Sequence, residues 1–106
     1  MTKKLEIGKL YRYPEYHLMV YPSIQIAVRA GRVQPAPAPT LRDASWRAHY
    51  WSKRLNCTVR YSEPNEIFMV VDHEKEKDDT DFYHVIFGEI QGWMIVDDCM
   101  KIEKTL

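Results

Sequence analysis

The chain has 106 residues, 45% of them hydrophobic, 28% charged and 12% aromatic, which suits one globular domain with a real core and excludes collagen, coiled coil and wholesale disorder. Basic and acidic side chains number 15 each, so the formal net charge is zero, but residues 1–62 hold 11 Lys and Arg against 3 acids while residues 63–106 hold 4 against 12. Asymmetry of this size points to a charged partner, unless the two halves fold against each other and neutralise locally.

The apolar windows, residues 67–71 and 85–87, fall far short of the roughly 20 residues that cross a bilayer as a helix. Glu6, Lys9 and Arg12 interrupt the region where a secretory signal would be apolar, so a cytoplasmic protein that does not enter a membrane is expected. Cys57 and Cys99 have neither zinc-finger nor paired-cysteine spacing and read as packing residues.

In chain order, residues 5–13 alternate apolar and polar around Gly8, which predicts a strand with a bend there. Pro14 ends it, having no amide hydrogen for a ladder. Residues 17–21 and 24–28 are β-prone and split by Pro22 and Ser23; they read as two short strands or one broken edge strand. Residues 34–39 carry proline at every second position, which predicts an extended spacer of polyproline type. As a ligand for an aromatic groove the run lacks basic flanks.

Thr40 and Asp43 stand where an N-cap hydroxyl and a first-turn acid belong, so a helix over about 40–56 is predicted. Leu41, Ala44, Ala48, Trp51 and Leu55 recur at intervals of 3, 4, 3 and 4 and define one apolar face, with Asn56 as terminator. The remaining surface carries Arg42, Arg47, His49, Lys53 and Arg54, with Trp46 and Tyr50 between the two faces. Beyond it, residues 57–61, 66–72, 81–87 and 92–96 are β-prone, and residues 100–104 alternate as a last strand. Turn formers at 62–65 and a short link at 89–91 suggest antiparallel hairpins, with residues 74–80 as a solvated hairpin tip.

From residue 67 to residue 104 the succession is strand, polar loop, strand, short turn, a strand beginning Gly92, Trp93, Met94, Ile95, an acidic turn at Asp97 and Asp98, and a final strand. With Ile7 to Tyr11 as a first strand, this order resembles Src-homology-3-like small β-barrels, and in particular small barrel proteins of bacteriophages, which implies the host cytoplasm as the location. The similarity covers about half the chain and carries no catalytic motif. It implies a mainly β (α+β) fold: a small antiparallel barrel with one inserted amphipathic helix, the insertion running from 14 to 65. The expected core is Ile7, Leu10, Leu41, Ala48, Trp51, Ile67, Met69, Val71, Phe82, Val85, Phe87, Trp93, Ile95 and Ile102.

His17, His49, His73 and His84 form no metal-binding motif, and four glycines give little material for a phosphate cradle. A Cys57–His84 nucleophile pair is formally open. Asp72, Glu74, Asp78, Asp79 and Asp81 could ligate a hard cation, but Lys75 and Lys77 among them favour a solvated charged turn. No catalytic residue, metal or cofactor is assigned. The expected site is instead the helix exterior: Arg42, Trp46, Arg47, His49, Tyr50, Lys53 and Arg54. Aromatics with arginines are enriched at protein interface centres, so a non-enzymatic adaptor that binds a protein partner is the leading expectation. Phosphate contacts and base stacking by the same residues are the alternative. The opposed halves also permit head-to-tail self-association.

Overall fold

The computed structural model describes residues 4–33, 37–76, 79–97 and 100–105. Among the described residues seven strands and two helices follow one another: β1 (Leu10–Arg12), β2 (Met19–Val20), α1 (Ile24–Val33), α2 (Leu41–Arg54), β3 (Arg60–Tyr61), β4 (Ile67–Lys75), β5 (Asp81–Phe87), β6 (Ile90–Val96) and β7 (Glu103–Lys104). The fold is mainly β, and its centre is a five-stranded antiparallel sheet in the order β7, β1, β4, β5, β6. A two-stranded ribbon of β2 and β3 joins its far edge, where Tyr21 and Trp93 exchange backbone hydrogen bonds of 2.8 and 2.7 Å.

Both faces of β5 and β6 are covered, which is why these strands read as nearly continuous apolar runs. On one face Tyr83, Val85, Phe87, Met94 and Val96 pack with Tyr11, Phe68, Val70, Leu18 and Ile102. On the other, Phe82, Trp93 and Ile95 meet Ala27 and Ala30 of α1, Ala44, Ala48 and Trp51 of α2, and Tyr21. Burial of large side chains at this level contributes about 1.5–3 kcal/mol each.

Several expectations are corrected. The expected strand at 24–28 is the start of a second helix, α1, so the insertion holds two helices rather than one. Ser23 begins it: its hydroxyl accepts from the Ile26 amide at 3.3 Å and its carbonyl from the Ala27 amide at 3.0 Å, which is N-cap geometry. Strands expected at 5–13, 57–61 and 100–104 shorten to Leu10–Arg12, Arg60–Tyr61 and Glu103–Lys104. The link at 89–91 narrows to a turn at Gly88 and Glu89, since Ile90 and Gln91 already pair in β6.

Among the expected core residues, Ile7, Leu10, Leu41, Ile67 and Met69 are exposed, and Val71, Trp93 and Ile95 are only half-buried. On β4 the reason is register. Pairing sets Phe68 and Val70 on the inner face with Val85, leaving Ile67 and Met69 outside beside Leu10 and Ile86. Leu41 is the first residue of α2, and burial on its face begins only at Ala44.

Of the proline spacer, residues 34–36 lie outside the described residues, as do Asp78 of the acidic loop, Asp98 and Cys99. Ala38 is fully buried and exchanges two 2.9 Å backbone hydrogen bonds with His17. The spacer's end is therefore docked as extended chain rather than free. Among the described residues no helix is long and apolar enough to cross a membrane.

Candidate functional site

Helix α2 begins as its sequence requires: the Thr40 hydroxyl accepts from the Asp43 amide at 3.1 Å. It ends where Leu55 donates its amide to the Trp51 carbonyl at 3.0 Å and Asn56 turns to a φ of 51°, a left-handed conformation that asparagine tolerates. The alanines at 44 and 48 let the helix lie close to β3 of the ribbon, and Trp51 shares their buried cluster.

Arg42, Trp46, His49, Tyr50, Lys53 and Arg54 are all exposed. With 3.6 residues per turn, Arg42, Trp46, His49 and Lys53 fall in one sector about 60° wide and about 16 Å long, opposite the buried face. Tyr50 and Arg54 flank it. Trp46, 56% exposed, stacks on Tyr50 with ring centroids 5.1 Å apart and planes 8° from parallel. The Arg54 guanidinium lies 6.0 Å over the Tyr50 ring, and Tyr50 meets Trp51 edge-on at 5.0 Å. Trp46, Tyr50 and Arg54 thus form a ladder at successive four-residue steps, anchored to the core through Trp51.

Arg47 stands apart from the other six. Its side chain is 12% exposed and pairs with Asp43 at 2.8 Å. The guanidinium also lies near enough to the buried Tyr21 phenol to oppose, in part, the burial that pushes that group up to about 12. Arg47 therefore lies on the Tyr21 side of α2 and is not a member of the outward stripe.

Cys57 and His84 form no pair. The Cys57 thiol is 4.0 Å from the Trp51 carbonyl and burial raises its pKa, the opposite of what an activated nucleophile needs. The His84 ring stacks on Trp93 at 4.9 Å, and among the described residues no hydrogen bond links it to Cys57. No three His, Cys, Asp or Glu side chains converge among the described residues as a metal site would.

Two features escaped the sequence. Asp81, grouped above with a solvated loop, is buried: its carboxylate is 2.8 Å from His73 Nε2, and His73 stacks on Tyr83 at 4.4 Å. A β-bulge between Val70 and Asp72 causes this, because the extra residue reverses the alternation and turns His73 inward. No residue type in the run announces a bulge. The second feature is the exposed apolar row of Leu10, Ile67 and Met69 on the outer face of β1 and β4, hidden in sequence because residues 67–71 are apolar without a break. Compared with known proteins, the chain matches no family model, no curated sequence and no solved structure.

Proposed function

We propose that the chain is a non-enzymatic interaction module, a small barrel of the Src-homology-3-like kind, whose partner-binding face is the outer stripe of α2. What supports the barrel is strand order: β1 lies between β4 and β7, so the first strand is bracketed by the last and by the long central hairpins. What carries the binding reading is the exposed Trp46–Tyr50–Arg54 ladder, aligned with Arg42, His49 and Lys53. Large aromatic rings held rigid at the surface, with cations around them, are the side chains that dominate interface energetics. The one carboxylate on the helix, Asp43, is paired with Arg47, so the exposed cations leave this face net basic. The partner is therefore an acidic protein surface.

Single-stranded nucleic acid is the second reading, favoured by the same stacked rings beside cations. Fluorescence anisotropy of labelled probes separates the two. The probes are a panel of acidic peptides containing aromatic residues and a mixed-sequence single-stranded oligonucleotide of equal charge. Acidic peptides are expected to bind more tightly than the oligonucleotide. Replacing Trp46→Ala and Tyr50→Ala together weakens them by about 30-fold or more, the scale of one hot-spot residue. Tighter binding of the oligonucleotide would move the function to nucleic acid, and peptide binding untouched by the double substitution would remove the stripe from it.

A further inference from the structure

The acidic surface that matches α2 is carried by the chain itself. Among the described residues the ion pairs are Arg12–Glu103, Arg47–Asp43, His73–Asp81, Lys101–Glu15 and Lys104–Glu6. None uses Arg42, Lys53 or Arg54, and none uses Asp72, Glu74, Glu76 or Asp79. Of the three pairs that join the two halves only Arg12–Glu103 uses the excess charge of each, so ion pairs among the described residues leave the excess on the helix exterior and on the β4–β5 hairpin in place.

The hairpin presents its acids in an ordered way. Past the bulge, Asp72 pairs in register with His84 and Glu74 with Phe82, while His73 and Lys75 pair with Tyr83 and Asp81 on the other face. Asp72 and Glu74 are exposed on that outer face, at the spacing of alternate strand residues, about 7 Å. On α2 the cations stand at the two ends of the stripe, Arg42 at one and Lys53 with Arg54 about 16 Å away at the other, with the Trp46 and Tyr50 rings between them, so the carboxylate pair on the strand fits one end of the stripe. Val71, half-buried at the bulge, adds apolar surface beside Asp72 for Trp46.

Resting on the reading of α2 as the binding face, we infer that its occupant is the β4–β5 hairpin of a second copy of this chain. The two surfaces differ, so the contact is head-to-tail: an open assembly keeps one free face of each sign at its ends, and it closes into a ring or grows as a chain. Because the attraction is between exposed charges, it is strong where the screening length is about 30 Å and weak where it is about 3 Å, that is, between about 0.01 M and 1 M salt.

Analytical ultracentrifugation of the full chain tests this, with circular dichroism to verify that each variant is folded. The wild type is expected to gain mass with concentration at low salt and to return to monomer at high salt. One variant reverses the helix (Arg42→Glu, Lys53→Glu, Arg54→Glu) and the other the hairpin (Asp72→Lys, Glu74→Lys, Glu76→Lys). Each alone stays monomeric at low salt, and their equimolar mixture regains a complex. A wild type that is monomeric at low salt overturns the inference, as does a variant that associates like the wild type. So does a larger species that forms only when the oligonucleotide is added. If the wild type is monomeric but still binds acidic peptides, the second copy is wrong and the α2 stripe stands; if it binds neither, both fall.

Discussion

Phe68 and Met69 are neighbours in β4, yet Phe68 is fully buried and Met69 is 38% exposed. Strand geometry alone makes the difference, since successive side chains point to opposite faces. The Phe68 ring lies 4.9 Å from Phe87 and 6.0 Å from Tyr11, so removing it opens a cavity between two aromatic rings. Phe68→Ala is expected to cost about 3–5 kcal/mol. Met69→Ala, on a surface with little to lose, is expected to cost less than about 1 kcal/mol. Urea unfolding of the two variants measures both, and equal costs would mean that the register of β4 is wrong. At this scale the sequence could be read only where its pattern had a phase. A 3.6-residue period sets Ala48 and Trp51 on the buried face, whereas the unbroken apolar run around Ile67 and Met69 carries no phase and the structure exposes both.

Helix α2 was legible as an element because cap, period and terminator agree; α1 was not, because its opening residues Ile24, Ile26 and Val28 are β-formers. What overrides propensity is packing. Ala27, Ala30 and Gly31 make a flat side that rests on β6, and a β-carbon at Gly31 would run into the side-chain tip of Ile95. Ser23 followed by small residues at helical spacing was the available signal. The ribbon's approach to the same strand depends on Gly92, where a β-carbon would meet the Tyr21 carbonyl oxygen at 2.5 Å. These two glycines should respond differently to alanine. At Gly31 the obstacle is the free end of a flexible side chain, and the helix gains up to about 1 kcal/mol in propensity, so the thermal midpoint is expected to change little. At Gly92 the obstacle is backbone, held by the Tyr21–Trp93 hydrogen bonds, and Gly92→Ala is expected to lower stability by about 1–3 kcal/mol. Thermal denaturation followed by circular dichroism compares them. A neutral Gly92→Ala would show that the ribbon is not seated on β6.

Across the whole molecule, the ends of the chain are tied by ion pairs, Glu6, Arg12 and Glu15 with Lys104, Glu103 and Lys101, of which only Arg12–Glu103 joins the excess charge of the two halves. These pairs are exposed and each contributes about 0–1 kcal/mol, so pH sensitivity of the fold has to come from buried groups. Tyr13 and Tyr21 supply it from the two opposite cores. Burial above all, then Glu15, Tyr16 and Asp97, pushes the Tyr13 phenol up to about 12; burial does the same to Tyr21 despite the nearby Arg47. Tyr83 is also raised, by burial first. A phenol near 10 in the unfolded chain and near 12 in the folded one keeps its proton longer when folded. Its contribution is therefore fully present below about pH 10 and is lost as pH rises from about 10 to about 12. The urea midpoint is expected to hold steady up to about pH 9.5 and then fall, and native tyrosinate absorbance should lag behind that of the unfolded protein. Tyr13→Phe and Tyr21→Phe keep the ring and remove the titrating group, so each should flatten part of the fall between pH 10 and 12. If the decline is as steep in both variants as in the wild type, the alkaline sensitivity comes from elsewhere and these two rings are not the buried phenols that couple the cores to pH.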